Sequence, residues 1–138
     1  GLRLGIATTT TPENVTTLLS ATIGPESIAW FDVIAAGDVV PNKKPAPDIY
    51  QYALRKMNLS AAECVAFEDS ENGLLSSMQA GLKTIVTVNA YTRNDDFEGA
   101  AIVLDQLGQP GAPFNVISGN AGDATQVDVP LIEHLFES

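Results

Sequence analysis

The chain has 138 residues, 45% of them apolar, which suits one globular domain with a buried core. Seventeen acidic against seven basic side chains give a net charge of −10, which argues against nucleic-acid binding because such proteins carry a basic patch. No apolar run approaches the roughly 20 residues of a membrane span, and the first residues do not form a signal peptide. We therefore expect a cytoplasmic protein that binds neither nucleic acid nor membrane.

Strand-like and helix-like segments alternate along most of the chain. Short apolar runs rich in β-branched residues predict strands, whereas apolar residues three or four positions apart predict helices. Strands that alternate with helices of this length predict βαβ units and therefore a parallel sheet of the α/β class. The predicted strands cover residues 2–7, 31–36, 63–67, 83–88 and 100–104.

Local signals place the ends of the intervening helices. Thr11 as N-cap, with Pro12 at the first helical position, begins the first helix. The second helix begins at Pro47-Asp48, and the third ends at Gly81, a favourable residue just beyond a helix terminus. These signals predict a helix after each of the first three strands.

The segment from Gly108 onward differs in character, because glycine and proline recur there and the periodicity is lost. Within it, residues 129–136 are predicted to form either a closing strand or a helical turn. We expect residues 1–107 to form a core domain and residues 108–138 to be a C-terminal extension packed on the same domain.

Two side chains with reactive potential are interpreted as structural. Cys64 is the single cysteine and lies in an apolar run, so we expect buried filler rather than a nucleophile. His134 has no second histidine or cysteine at metal-ligand spacing, so we expect it at the surface.

Polar side chains follow three successive predicted strands at the point where each strand ends. Thr8 and Thr9 follow the first strand, Lys44 lies on the loop after the second, and the pair Glu68-Asp69 ends the third. Because ligands of parallel sheets sit outside the carboxyl ends of the strands, we expect these side chains to share one site.

The three features suit the binding of a phosphoryl group beside a metal ion. A hydroxyl near the N–H groups of a helix start binds phosphate oxygens, and a lysine adds a point charge. Two carboxylates such as Glu68 and Asp69 hold Mg²⁺, which neutralises and orients the phosphate. The alternative for the pair is that Asp69 and Ser70 only cap the next helix. In this order the three features describe a phosphoryl-transfer site.

These residues also carry a resemblance to the haloacid dehalogenase (HAD) superfamily of phosphatases and phosphomutases, over Leu4 to Leu107. The resemblance implies a three-layer Rossmann-like fold with Mg²⁺ as cofactor. It implies that Thr8 and Lys44 are catalytic and, with Thr9, bind phosphate, and that Glu68 and Asp69 are the metal residues. The strings that match superfamily motifs are Gly5-Ile6-Ala7-Thr8-Thr9, Lys44-Pro45-Ala46-Pro47-Asp48-Ile49-Tyr50 and Glu68-Asp69-Ser70-Glu71-Asn72-Gly73.

The last two strings are specific to the branch that contains β-phosphoglucomutase and phosphoglycolate phosphatase. Within that branch, Ala7-Thr8-Thr9-Thr10 and the segment from Asp96 to Pro113 are most similar to the CbbY group. That group dephosphorylates a xylulose bisphosphate that inhibits Rubisco. The resemblance therefore implies an enzyme whose partner is a small phosphorylated metabolite, and a sugar-phosphate phosphatase is expected. Whether the reaction is that of a phosphatase or of a phosphomutase stays open at this point.

One departure from the superfamily pattern bears on activity. The nucleophile lies in an Asp-x-Asp-x-Thr motif after the first core strand, and no Asp-x-Asp occurs in this sequence. The helical cap domain that follows this motif is missing as well. We therefore expect the C-terminal part of a longer protein, lacking the first core strand and inactive alone, because covalent catalysis needs its nucleophile. The missing strand would leave an open slot between strands 63–67 and 2–7, through which chains could associate.

Two other interpretations remain. The chain is complete and acts as a non-catalytic phosphate- or metal-binding module, or as a subunit that a partner chain completes. Alternatively it is an unrelated doubly wound binder of the flavodoxin or receiver type, in which Lys44 and Glu68-Asp69 are incidental.

Overall fold

The strands of this protein form two separate sheets in the computed structural model, which describes residues 2–137. Gly1, the first residue of the predicted core domain, and Ser138, the last residue of the predicted extension, lie outside the described residues. The first sheet pairs β1 with β2 in parallel, and the second has the order β3-β4-β5-β6. The strands are β1 (Leu4–Thr8), β2 (Phe31–Ala36), β3 (Val65–Glu68), β4 (Lys83–Thr87), β5 (Ile102–Leu104) and β6 (Val116–Gly119).

Helices connect and cover the strands. They are α1 (Pro12–Thr22), α2 (Asp48–Met57), α3 (Glu71–Gln79) and α4 (Val129–Glu137), with short 3₁₀ helices at Pro25–Trp30 and Ala61–Glu63. The predicted parallel α/β fold is confirmed, and each predicted strand is present with its ends shifted by no more than two residues. Residues 129–136, left open between strand and helical turn, belong to α4.

The residues predicted to begin α1 and to end α3 do so in the structure. The Thr11 hydroxyl accepts the N–H of Asn14 at 3.2 Å, which caps α1 in front of Pro12. Gly81 has a φ of +89°, and the N–H of Leu82 donates to the carbonyl of Ser77 at 3.0 Å. Glycine at this position therefore allows the left-handed turn that ends α3.

Strand β6 was not predicted. It pairs antiparallel with β5 at the edge of the second sheet, and all four of its residues are exposed. Because neither face of β6 is buried, its sequence shows no alternation of apolar and polar residues, and that alternation is the signal from which a strand is predicted.

Helix α2 packs against both sheets. Ile49, Tyr50 and Ala53 of this helix are buried in one apolar cluster with Ala35 of β2 and Ala66 of β3. A second cluster joins β4 and β5 to residues beyond 108, including Phe114, Leu131 and Leu135. No helix in residues 2–137 is long and apolar enough to cross a membrane.

Candidate functional site

The ammonium of Lys44 bridges the two sheets at the carboxyl ends of their strands. It donates to Oε1 of Glu68, the last residue of β3, at 2.6 Å. It also donates to the carbonyl oxygen of Ala7 in β1 at 3.1 Å. Thr8, the next residue, ends β1, and Asp69 follows Glu68. The structure thus brings Lys44 into contact with Ala7 and Glu68, the residues that directly precede Thr8 and Asp69.

The loop that carries Lys44 is fastened to α3. Ser76 Oγ donates to the carbonyl of Ala46 at 2.7 Å, and Gln79 Nε2 donates to the carbonyl of Pro45 at 2.9 Å. These bonds hold the backbone immediately after Lys44, so the lysine extends toward the site from a fixed base.

Glu68 is held through one carboxylate oxygen, and its other oxygen packs close to Gly73. Tyr50 donates its hydroxyl to Oε1, the same oxygen that binds Lys44. Oε2 lies over Gly73, so a Cβ at that position would collide with it. Burial, followed by the nearby charge of Glu68, raises the pKa of Tyr50, so the hydroxyl stays protonated and donates.

Tyr50 and Gly73 contact Glu68 at the candidate site, and sequence reasoning did not single them out. In the sequence both residues are only the last members of strings that match superfamily motifs. The available signal is chemical: a tyrosine on a buried face still needs a partner for its hydroxyl.

Ser70, rather than Asp69, caps the helix that follows β3. The Ser70 hydroxyl accepts the N–H of Gly73 at 3.1 Å. The Asp69 side chain is exposed and has no hydrogen bond within residues 2–137. The carboxylate of Asp69 is therefore available to a ligand at this edge.

The four consecutive threonines, Thr8 to Thr11, fall into two pairs: Thr10 and Thr11 bond to residues of α1, whereas Thr8 and Thr9 do not. Thr8 is half-buried, and its Oγ1 accepts the N–H of Thr10 at 3.2 Å. The Thr10 hydroxyl accepts from the amide of Asn14, and Thr11 caps α1. Thr9 is exposed and has no hydrogen bond in the described part of the chain. Among the described residues, the side chains of Thr8 and Thr9 thus make no hydrogen bond to α1.

Asp95 and Asp96 hold a loop against α3. Asp95 accepts the N–H of Glu71 at 3.1 Å, while Glu71 accepts the N–H of Asp96 at 3.0 Å. These reciprocal bonds fasten the loop after β4 to the first turn of α3, so both aspartates have a structural role.

A groove of about 590 Å³ separates β1 from β3. Its lining includes residues 2–7 and 63–67, together with Met57 of α2 and Phe136 of α4. Within the described residues β1 pairs only with β2 and β3 only with β4, so each presents an unpaired edge. Leu4 and Phe67 are 44% and 46% exposed, although strands of parallel sheets are normally covered on both faces.

Cys64 lies in this groove and is half-buried rather than fully buried. Burial, followed by the charge of Glu63, raises the pKa of its thiol, with Arg3 acting in the opposite direction. The expected surface position of His134 is confirmed, since it is exposed on α4.

The donor set suits Mg²⁺ as a partial site. Glu68 Oε2 and the Asp69 carboxylate are hard oxygen donors on neighbouring residues, and Mg²⁺ binds through one or two carboxylates while keeping waters. Within residues 2–137 no group of three or more histidine, cysteine, aspartate or glutamate side chains is placed to hold a metal. Within the described residues the candidate donors are therefore these two carboxylates, which would need further ligands to complete a site.

One parallel and one mostly parallel sheet, with polar residues at the carboxyl ends of the parallel strands, define a Rossmann-like α/β protein. Haloacid dehalogenase-like hydrolase sequences match residues 1–81, more than half of the chain. The chain therefore belongs to the haloacid dehalogenase-like hydrolase family.

Relatives narrow the similarity to the CbbY group. Protein CbbY of Rhodobacter capsulatus is 54% identical over 100 residues, which covers 72% of this chain and 44% of that protein. A crystal structure of CbbY from Rhodobacter sphaeroides in complex with phosphate has 49% sequence identity and a TM-score of 0.75. It covers 77% of this chain and 47% of the CbbY chain.

A second crystal structure shows a mutant of the Rhodobacter sphaeroides CbbY in complex with xylulose-(1,5)bisphosphate. It has a TM-score of 0.74 and covers the same shares of the two chains. The present chain thus spans about half the length of the relatives it matches. The activity and substrates of a whole relative are therefore proposals for this chain.

Proposed function

We propose that this chain carries the phosphate- and metal-binding half of a Mg²⁺-dependent sugar-phosphate phosphatase, with a xylulose bisphosphate as the candidate substrate. Activity requires a further segment that supplies the aspartate nucleophile, because no Asp-x-Asp occurs in the sequence. The observation that carries the proposal is the position of Lys44, whose ammonium lies between Ala7 and Glu68 at the edge where Thr8 and Asp69 also lie.

Hydrogen-bond donors and helix N-termini at this edge favour an anionic ligand in spite of the net charge of −10. Helices α1, α2 and α3 each follow a parallel strand, so their N-termini point toward the carboxyl edge and contribute partial positive charge. The charge of Lys44 is balanced by Glu68, so Mg²⁺ would have to offset the charge of a bound phosphate, while the Lys44 ammonium and the hydroxyls of Thr8 and Thr9 would donate to its oxygens.

Asp69 and Glu68 Oε2 would hold Mg²⁺, which neutralises charge on a bound phosphoryl group. Lys44 cannot serve as a ligand to the cation, and its role is to hold the phosphate against the site. Glu68 would thus have two duties: Oε1 positions Lys44, and Oε2, which lies beside Gly73, would be the oxygen left for the metal.

The groove between β1 and β3 is the proposed place for the completing segment. A parallel strand inserted there would pair with both unpaired edges and join the two sheets into one. The carboxyl end of such a strand would meet Thr8, Lys44 and Asp69, so an aspartate just beyond it would reach the bound phosphate.

The test is a fused protein in which a family segment with the Asp-x-Asp-x-Thr motif and the helical cap precedes this chain. We expect the fused protein to release phosphate from xylulose bisphosphate when Mg²⁺ is present and to stop when EDTA is added. The same fusion with both motif aspartates changed to asparagine is the matched control and should be inactive. A folded fusion without phosphate release from any sugar phosphate would refute the proposal.

The open groove also favours a second candidate, a subunit completed by a separate partner chain. Adding the same segment in trans distinguishes the two. Phosphate release on mixing, with a complex that survives gel filtration, supports assembly from two chains. Release from the fusion alone supports the single-chain phosphatase.

A further inference from the structure

Tyr50 contacts both members of the Lys44–Glu68 ion pair. Its hydroxyl donates to Glu68 Oε1, and its ring centroid lies 5.1 Å from the Lys44 ammonium nitrogen. The side chain projects from the first turn of α2, and the residue is only 9% exposed. A buried tyrosine hydroxyl needs a partner, and here that partner is the carboxylate that holds Lys44.

The position of Glu68 depends on these contacts because its chain is long and has several rotamers. Lys44 and Tyr50 bind the same oxygen from two directions, while Gly73 leaves room for the other oxygen. Without the tyrosine hydroxyl, Lys44 would be the only donor to Oε1, and the carboxylate could turn toward water. A mobile carboxylate would hold the ammonium less well.

We propose that Tyr50 is a positioning residue of the site: its hydroxyl fixes the Glu68 carboxylate, which in turn holds the Lys44 ammonium beside the phosphate position. This inference rests on the proposed function. Tyr50 itself does not touch the phosphate position, because its hydroxyl is committed to Glu68.

The experiment compares Tyr50→Phe with Tyr52→Phe in the full chain. Tyr52 is a matched control because it lies on the same helix and its ring also faces a lysine, with Lys56 Nζ 5.5 Å from the centroid. The measured quantity is the hydrogen-exchange rate of the lysine ammonium groups by ¹⁵N NMR, with Lys43 as internal reference. We expect Tyr50→Phe to speed exchange at Lys44 about tenfold, the scale of a lost hydrogen bond to a charged group. Tyr52→Phe should leave that rate unchanged.

A double variant tests whether Tyr50 acts through Glu68. In a Glu68→Ala chain, adding Tyr50→Phe should change the Lys44 exchange rate by less than about twofold, because the intermediate group is gone. If Glu68→Ala does not give a folded amide spectrum, the coupling across the hydrogen bond from Lys44 ¹⁵N to the Glu68 carboxylate carbon is measured in Tyr50→Phe. A weakened coupling supports the proposal, and an unchanged coupling overturns it.

Three results would overturn the inference: an unprotected Lys44 ammonium in the unaltered chain, no effect of Tyr50→Phe, or the same effect with and without Glu68. Failure of the proposed function shows separately, as a folded fused protein that releases no phosphate. In an active fused protein, Tyr50→Phe should lower kcat more than it raises KM, whereas Tyr52→Phe should change neither.

Discussion

Lys44, on the loop after β2, and Glu68, the last residue of β3, form a 2.6 Å ion pair that links the two separate sheets of the fold. The side chains are 15% and 8% exposed, so the pair is largely shielded from water. Because Lys44 also donates to the Ala7 carbonyl, one ammonium joins the ends of β1 and β3 across the mouth of the groove. The pair is therefore both a structural link between sheets and the centre of the candidate site.

Lys44→Ala should lower the free energy of unfolding by about 3 kcal/mol, because removing one partner of a buried pair leaves the other charge uncompensated. The matched control is Lys43→Ala, whose exposed pair with Asp38 should be worth less than about 1 kcal/mol. Urea denaturation monitored by circular dichroism measures both. Equal losses for the two variants would show that the Lys44 pair is not a buried link.

Gly73→Ala tests the space that Glu68 occupies. Alanine normally stabilises a helix relative to glycine by about 1 kcal/mol, and Gly73 lies in the first turn of α3. Here the new Cβ would displace the Glu68 carboxylate and break its bonds to Lys44 and Tyr50, so we expect a net destabilisation of about 1–2 kcal/mol. The neighbouring exposed Asn72→Ala should be neutral. A more stable Gly73→Ala protein would contradict the assigned packing.

The open edges of β1 and β3 should make the chain associate as its concentration rises. Phe67→Lys places a charge in the groove and should shift the chain toward monomer in sedimentation velocity. Ile117→Lys is the control, because Ile117 is 56% exposed on the other sheet edge, β6. A chain that stays monomeric at every concentration, or that only Ile117→Lys makes monomeric, would show that the groove does not mediate contact.

Cys64 reports on whether the groove is filled. Its raised pKa leaves less thiolate near pH 8 than a free cysteine has, so its reaction with a thiol reagent should be slower than in the urea-unfolded chain. In the fused protein the inserted segment should slow the reaction further. If Cys64 reacts with the reagent at the same rate in the fused protein and in the chain alone, the added segment does not occupy the groove.

The parallel α/β fold was predictable because its signals are local. Strand runs such as 31–36, the Thr11 cap and the Gly81 terminus each depend on neighbouring residues, and the structure contains all three. Strand β6 was not predictable, because an edge strand exposed on both faces carries no periodic pattern.

Only part of the candidate site was predictable. The carboxyl-edge rule predicted that Lys44 and Glu68 lie near one another, and their contact is present in the structure. The rule could not assign Lys44 to Oε1 or show that Ser70 rather than Asp69 caps α3, since both depend on side-chain geometry. The rule also could not identify Tyr50 as a partner of Glu68, because an aromatic residue at helical spacing is normally interpreted as a core residue.

The most direct test of the central claim is the Mg²⁺-dependent rate of phosphate release from xylulose bisphosphate by the fused protein and its site variants. We predict activity in the unaltered fusion, and a loss of about 10²-fold or more with either Lys44→Ala or Asp69→Ala, the scale of removing one electrostatic contact to the transition state. Lys43→Ala and Asp123→Ala, which alter exposed residues, should retain the rate. Full activity in both Lys44→Ala and Asp69→Ala would contradict the account.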